Sequence, residues 1–181
     1  MDAFSSIDEI IAMLRLLGTM ESSESSEFSE LEHGLQTTAL LVAVAPDDDE
    51  LLVAGLVHDI AHPWDGPGQP KHAIMGADAV RHVLGERVAS LVAGHVPAKR
   101  WLVTNDPAYQ GQLSADSVTT LVAQGGVMSA DEVRSFESLD DWRCMIDLRR
   151  ADDGAKVPGA LIPSLDTWLG ALHRVASRSR P

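Results

Sequence analysis

Residues 51–62, LLVAGLVHDIAH, decide the reading of this chain. An apolar run, Leu51 to Val57, leads straight into His58-Asp59, and His62 follows. The acidic cluster Asp47-Asp48-Asp49-Glu50 ahead of the run suits a helix N-terminus, where negative charge is favourable. The spacing predicts one helix continuing through His62, apolar almost all round and therefore central and buried. Polar groups in such a helix are costly unless they are paired or bound to metal. On a helix His58 and His62, four residues apart, share a face, while Asp59 is rotated by about 100° from His58. A carboxylate has two oxygens and can bridge two metals, whereas an imidazole binds one. His58 thus reads as a terminal ligand and Asp59 as a bridge.

Working outward, the remaining ligands of a two-metal site must come from other helices. His33 is expected mid-helix in ELEHGLQTTALLVAVA, which ends at Pro46. His72 opens a helix after the breaking segment PWDGPGQP at 63–70, His95 closes one, and Asp152 lies near the end of another in LRRADDGAK. Four neutral histidines and two aspartates carry less negative charge than two metal ions carry positive. The filled site is then positive and attracts an anionic substrate.

Apolar spacings of three and four residues recur nearly everywhere, so the fold class is all-α. Ser6 with Glu9 resembles a capping box that opens a helix through Ile10, Ile11, Met13, Leu14 and Leu17, with Gly18 as its stop. Residues 19–29, TMESSESSEFS, read as a polar loop with little apolar surface to hold it down. Further helices are expected at 72–84, 86–95, 97–103, 114–123, 130–137, 139–151 and 164–176. The chain has 181 residues, 45% of them hydrophobic, enough for one core. The expected organisation is an N-terminal helix and polar loop at 1–29, one helical domain at 30–176 and a tail at 177–181.

The net charge of −13 is uneven: residues 1–70 hold Arg15 against fourteen acids, and residues 71–181 hold thirteen of each sign. So acidic a surface disfavours nucleic acid, while a small anion remains admissible in a locally positive pocket. No apolar run of membrane-spanning length occurs, and the N-terminus lacks a basic segment followed by an apolar one, so a cytoplasmic protein without a membrane partner is expected. Cys144 has no second cysteine to pair with, and WRCMIDL reads as a buried helix face. His82 and His173 fall on Arg-containing amphipathic helices and are expected at the surface.

The ordered set His33, His58-Asp59, His72, His95 and Asp152 resembles the HD-domain superfamily in its two-metal form. The words LEHGLQTT, GLVHDIAH, HVPAKRWL, LSADSVTTLVAQGG and LRRADDGAKVPG, spread over roughly residues 30–175, are similar to the PhnZ-type mixed-valent di-iron oxygenases, relatives of myo-inositol oxygenase. The resemblance implies a single-domain HD helical bundle, an Fe(II)/Fe(III) pair with O2 as co-substrate, and oxidative C–P cleavage of a 1-hydroxyphosphonate to phosphate and a carboxylic acid. It implies His33, His58, Asp59, His72, His95 and Asp152 as iron ligands, with Asp153 the neighbouring alternative to Asp152. His62 matches a catalytic-site histidine that stands beside the ligands, near the substrate. Lys99 and Arg149 match cations that hold the phosphonate oxygens, Ser117 and Thr120 supply neutral donors, and Gln36 and Gln124 line the pocket.

The family's tyrosine and glutamate in the loop before the first ligand fall, without gaps, on Ser23 and Ser26; a shift of one residue puts Glu27 in the glutamate's place. Tyr109 is the chain's single tyrosine. The expected substrate is therefore a 2-substituted 1-hydroxyethylphosphonate whose substituent differs from the family's amine. The alternative is a metal-dependent HD phosphohydrolase acting on a small phosphomonoester, with Lys99 and Arg149 holding the phosphate. An idle HD module for protein association is disfavoured, because all six ligand positions are filled.

Overall fold

The side chains of Ser6, Ser29, Asp48, Ser114 and Ser129 each accept a hydrogen bond from the backbone N–H three residues on, and each opens a helix. The computed structural model describes residues 3–22, 25–64 and 71–179, apart from the side chains of Ala115 and Asp116. Its helices are α1 (Ile7–Leu17), α2 (Glu30–Val42), α3 (Asp49–Val57), α4 (His72–Asn105), α5 (Ala115–Ala123), α6 (Ala130–Glu137), α7 (Trp142–Gly154) and α8 (Leu165–Arg178). No strand occurs among the described residues; the one isolated bridge joins Glu21 and Ser29. Position 23, residues 65–70 of the breaking segment and the last two residues of the tail lie outside the described residues.

The all-α expectation holds. Every residue of α3 from Leu51 to Val57 is buried, and this helix is wrapped by α2, α4, α7 and α8, with α4 and α7 also packed on each other. Glycines set two of these approaches. A Cβ on Gly34 would stand 2.7 Å from the Leu56 carbonyl oxygen, and one on Gly94 would stand 2.3 Å from Met145 Sδ. Without side chains at these positions, α2 closes on α3 and α4 on α7, which brings His33 and His95, each next to its glycine, toward the middle of the molecule.

Several expectations are corrected. The apolar helix does not run through His62: α3 ends at Val57 with His58 as its cap. The change begins at the Val57 carbonyl, which takes the Ile60 N–H at 3.0 Å in place of a bond four residues on, and Pro63 has no N–H for the Asp59 carbonyl. That carbonyl takes the His62 N–H instead, at 3.0 Å, and the chain tightens into a 3-10 turn over His62–Trp64. At three residues per turn, Asp59 and His62 share a face, not His58 and His62. Conversely, the helices expected at 86–95 and 97–103 are one. Burial of Leu91, Val92, Ala98 and Leu102 carries α4 through Pro97, so His95 lies inside a helix. The real break in α4 is Gly85, at φ 88°.

His33 sits in the first turn of α2, not at its middle. The loop before it is anchored by Phe28, which is 5% exposed and lies beside the His33 ring. Ser22 N–H donates to the Phe28 carbonyl and Glu30 N–H to that of Met20, closing the loop on itself. Cys144 is half-buried, its sulfur facing Arg87 at the rim of the core. His82 and His173 are exposed, as expected.

Candidate metal centre and anion cavity

Five imidazoles and two carboxylates converge from α2, the end of α3, the turn after it, α4 and α7. His33 Nε2 stands 3.5 Å from Asp59 Oδ2 and 3.3 Å from Asp152 Oδ1, and His58 Nε2 stands 3.1 Å from Asp59 Oδ2. Asp59 turns its other oxygen to a second group: Oδ1 is 3.4 Å from His62 Nε2, 3.7 Å from His72 Nε2 and 3.6 Å from His95 Nε2. The two oxygens of one carboxylate thus face two clusters of nitrogen.

His33, His58 and His95 are presented alike. Their Nδ1 atoms lie 2.9, 2.9 and 2.6 Å from the carbonyl oxygens of Ala155, Gly55 and Val92. An Nδ1–H donated outward leaves the Nε2 lone pair directed at the centre. Nε2 of His33 and His58 and Oδ1 of Asp59 are buried without a hydrogen-bond partner. Unsatisfied buried acceptors this close together are what a bound cation resolves. The donor set fits a metal on both sides of Asp59: His33, His58 and Asp59 form one group and Asp59, His62 and His72 another, each with its ligand atoms within 4.8 Å of one another.

Protonation in the metal-free chain follows from burial and proximity. Burial pushes the Asp59 carboxyl up, but the charges of His58 and His62 outweigh it and hold the group well below the usual carboxylate range. Asp152 is held down in the same way, against burial, by Arg149 and His33. Burial alone would lower His62; Asp59 and Glu30 reverse that and raise it to about 9. His95 is pushed down to about 3, mainly by burial. Metal binding to this set displaces protons.

A cavity of about 240 Å³ opens beside the centre, its wall including Asp59, His62, His72, His95 and Asp152. Lys99, Ser117, Thr120 and Arg149 face the same space, along with Thr119 and Gln124. Lys99 is 2% exposed and donates from Nζ to Thr120 Oγ1 at 2.9 Å. Arg149 Nη2 lies 3.4 Å from Ser117 Oγ, and its Nε donates to Tyr109 Oη at 3.1 Å. Asp153 accepts hydrogen bonds from both Arg149 and Tyr109, so it faces the arginine while Asp152 Oδ1 faces the histidines.

Two sequence candidates are not brought to the cavity. Glu27 is exposed and lines a separate shallow groove with Ser26 and Ser29, because Phe28 takes the inward position beside it. Gln36 is buried, but its Oε1 accepts the Val157 N–H at 3.0 Å and ties α2 to the chain after α7. Two residues of the site, Glu30 and Tyr109, were missed, and Asp153, the alternative ligand, has another role. Glu30, 5% exposed, places its carboxylate oxygens 3.3 Å from His62 Nδ1. Tyr109 and Asp153 hold Arg149. An acid in the first turn of a helix and a tyrosine far from the ligand words carry no local signal of these contacts.

An HD pair at the end of a buried helix, with imidazoles and carboxylates converging on it inside an all-helical bundle, defines a metal-dependent enzyme of HD type. The HD domain family matches residues 31–124. Hydroxymethylphosphonate dioxygenase of Gimesia maris is 32% identical over 157 residues, covering 82% of this chain and 78% of the relative. The glycine-betaine-forming 1-hydroxy-2-(trimethylamino)ethylphosphonate dioxygenase of Leisingera caerulea is 32% identical over 133 residues, covering 69% of this chain and 67% of the relative. The chain belongs to the HD-domain family, among its PhnZ-type oxygenases. No helix among the described residues is long and apolar enough to cross a membrane.

Proposed function

We propose that the enzyme uses O2 to cleave the C–P bond of a 2-substituted 1-hydroxyethylphosphonate, giving phosphate and a carboxylic acid. One observation carries the reading: Lys99 and Arg149, both buried, face the same cavity as Asp59, His72, His95 and Asp152. Two iron ions held by His33, His58, Asp59, His72, His95 and Asp152 would supply the oxidising chemistry. Lys99 and Arg149 bind the phosphonate oxygens through charge-assisted hydrogen bonds, and Ser117 and Thr120 orient them. Anchoring the phosphonate there holds the carbon bearing the hydroxyl against the Asp59 wall, so the reacting atoms are fixed before oxidation begins. The balance is one O2 per turnover: the C–P bond breaks, and the two oxygen atoms end on carbon and on phosphorus.

A carbon–phosphorus bond has no easily protonated leaving oxygen, so oxidation of the adjacent carbon is the economical route. The two relatives, both phosphonate dioxygenases, also support an oxygenase. Their substrates differ at the end remote from phosphorus, one bearing no substituent and the other a trimethylamino group, which leaves the substituent here to experiment. Glu27, outside the cavity, gives no support to recognition of an amine by that residue.

The test is anaerobic reconstitution with iron followed by exposure to O2. The substrate panel is hydroxymethylphosphonate and 1-hydroxyethylphosphonates with hydrogen, amino, trimethylamino, hydroxyl or carboxyl groups at carbon 2. Phosphate release matched by O2 uptake is the expected result, with the best substrate naming the substituent. Phosphate released from phosphomonoesters without O2, and none from any phosphonate, would replace the oxygenase by the hydrolase.

A further inference from the structure

Glu30 opens α2, yet the reciprocal cap of that helix is made by Ser29 and Glu32. Its carboxylate, 4% exposed, is instead turned inward, where a charge is costly unless it is paired. Both oxygens lie 3.3 Å from His62 Nδ1. On the far side of the same ring, Nε2 stands 3.4 Å from Asp59 Oδ1, the oxygen that also faces His72 and His95. The His62 and His72 rings are in contact, with centroids 4.2 Å apart.

This is the arrangement of His33, His58 and His95, with a carboxylate in place of a backbone carbonyl. One nitrogen is tied outward and the other is aimed at the centre. A carboxylate partner fixes the proton on Nδ1, locks the ring and raises the donor strength of Nε2 toward a metal. The tight turn after α3, in which the His62 N–H donates to the Asp59 carbonyl and His62 shares a face with Asp59, is what permits it.

We infer that His62 is itself a ligand of the second metal, beside Asp59, His72 and His95, and that Glu30 is the positioning residue that presents it. The assignment rests on the two-metal reading and goes beyond the ligand set that the family resemblance implies, in which His62 stands beside the ligands. The first metal keeps His33, His58, Asp59 and Asp152.

The experiment is anaerobic titration of the metal-free protein with Co(II), read by calorimetry and by visible absorption, for the wild type, His62→Ala and Glu30→Gln. His82→Ala, at an exposed histidine, is the control. Two Co(II) per chain are expected in the wild type and the control. In His62→Ala one of the two sites should weaken at least tenfold while the other is unchanged, and free imidazole should restore it. Glu30→Gln, isosteric and able still to accept the Nδ1–H, should weaken the same site by about tenfold. A role in folding alone would affect both sites and would not respond to imidazole.

Two Co(II) bound as tightly as in the wild type by both variants would overturn the assignment. The phosphonate assay separates this from failure of the proposed function. Normal oxygenase turnover with unaltered metal binding in the variants defeats the ligand assignment alone. Loss of one site in the variants, with a wild type inert toward every phosphonate, defeats the proposed function alone.

Discussion

Arg149 and Asp152 divide one carboxylate between two tasks: Nη1 of the arginine holds Oδ2 at 2.8 Å, while Oδ1 stands 3.3 Å from His33 Nε2. Each side chain is only 6% exposed. The guanidinium therefore fixes the rotation of a proposed ligand, and through Nη2 it also faces Ser117 and the cavity. Arg149→Lys keeps the charge and loses the fork. It should lower kcat/KM on the best phosphonate by about 100-fold, measured by O2 uptake; retention within threefold would show that the fork is not needed. Arg149→Met leaves Asp152 and Asp153 uncompensated and should lower the stability of the metal-free protein by about 3–5 kcal/mol in urea unfolding.

Lys99 faces the same cavity from α4, and its Nζ donates to Thr120 Oγ1. A charge-assisted hydrogen bond is worth roughly 1.5–3 kcal/mol. Lys99→Met should therefore raise KM for the phosphonate, and the inhibition constant for inorganic phosphate, by about 10–100-fold. Metal content should stay at the wild-type level. Thr120→Val should move the same constants only a few-fold. Loss of metal from Lys99→Met would instead make the lysine part of the scaffold of the centre.

The class of fold and the convergence of the centre were legible in the sequence because both rest on strong local signals: apolar periodicity, serine caps and an HD pair beside an apolar run. Register at the centre was less legible. The helical period changes already at the Val57 carbonyl, which takes the Ile60 N–H, and this moves His62 from the face of His58 to that of Asp59. In the opposite direction, Pro97 reads as a boundary, but packing of α4 against α7 overrides it. Glu30 and Glu27 are equivalent by composition. Which of them turns inward is decided by the burial of Phe28, a tertiary fact.

Gly34 gives a test of how the centre depends on helix approach. A methyl group there would lie 2.7 Å from the Leu56 carbonyl oxygen, a backbone atom that cannot swing aside. Gly34→Ala should push α2 off α3, moving His33 away from His58, at a cost of about 1–3 kcal/mol from overpacking. The expected readouts are a lower unfolding midpoint and a first metal site weakened more than the second. Equal weakening of both sites would place the effect on the whole bundle, not on the α2–α3 contact.

Far from the centre, Arg87 ties the start of α3 to α4 and α7. It meets Asp48 through both terminal nitrogens at 2.7 Å and Asp141 through Nε and Nη2. The Arg87 hydrogen bonds hold the Asp48 carboxyl below its usual value, against partial burial. A carboxylate depressed by folding adds stability above its unfolded pKa of 3.8 and loses it as pH falls through the lower folded value. Asp48→Asn retains the cap on Leu51 N–H, since asparagine caps as well as aspartate, and removes the charge together with the hydrogen bond that Oδ2 accepts from Arg87 Nη2. With Asp48 and Arg87 28% and 29% exposed, solvent screening limits the loss at neutral pH to about 1 kcal/mol or less. That difference from the wild type should shrink below about pH 4 and vanish once Asp48 is protonated in both states. Urea unfolding at a series of pH values from neutral downward reads the effect; an offset that stays constant with pH would show that the charge of Asp48 does not carry the difference.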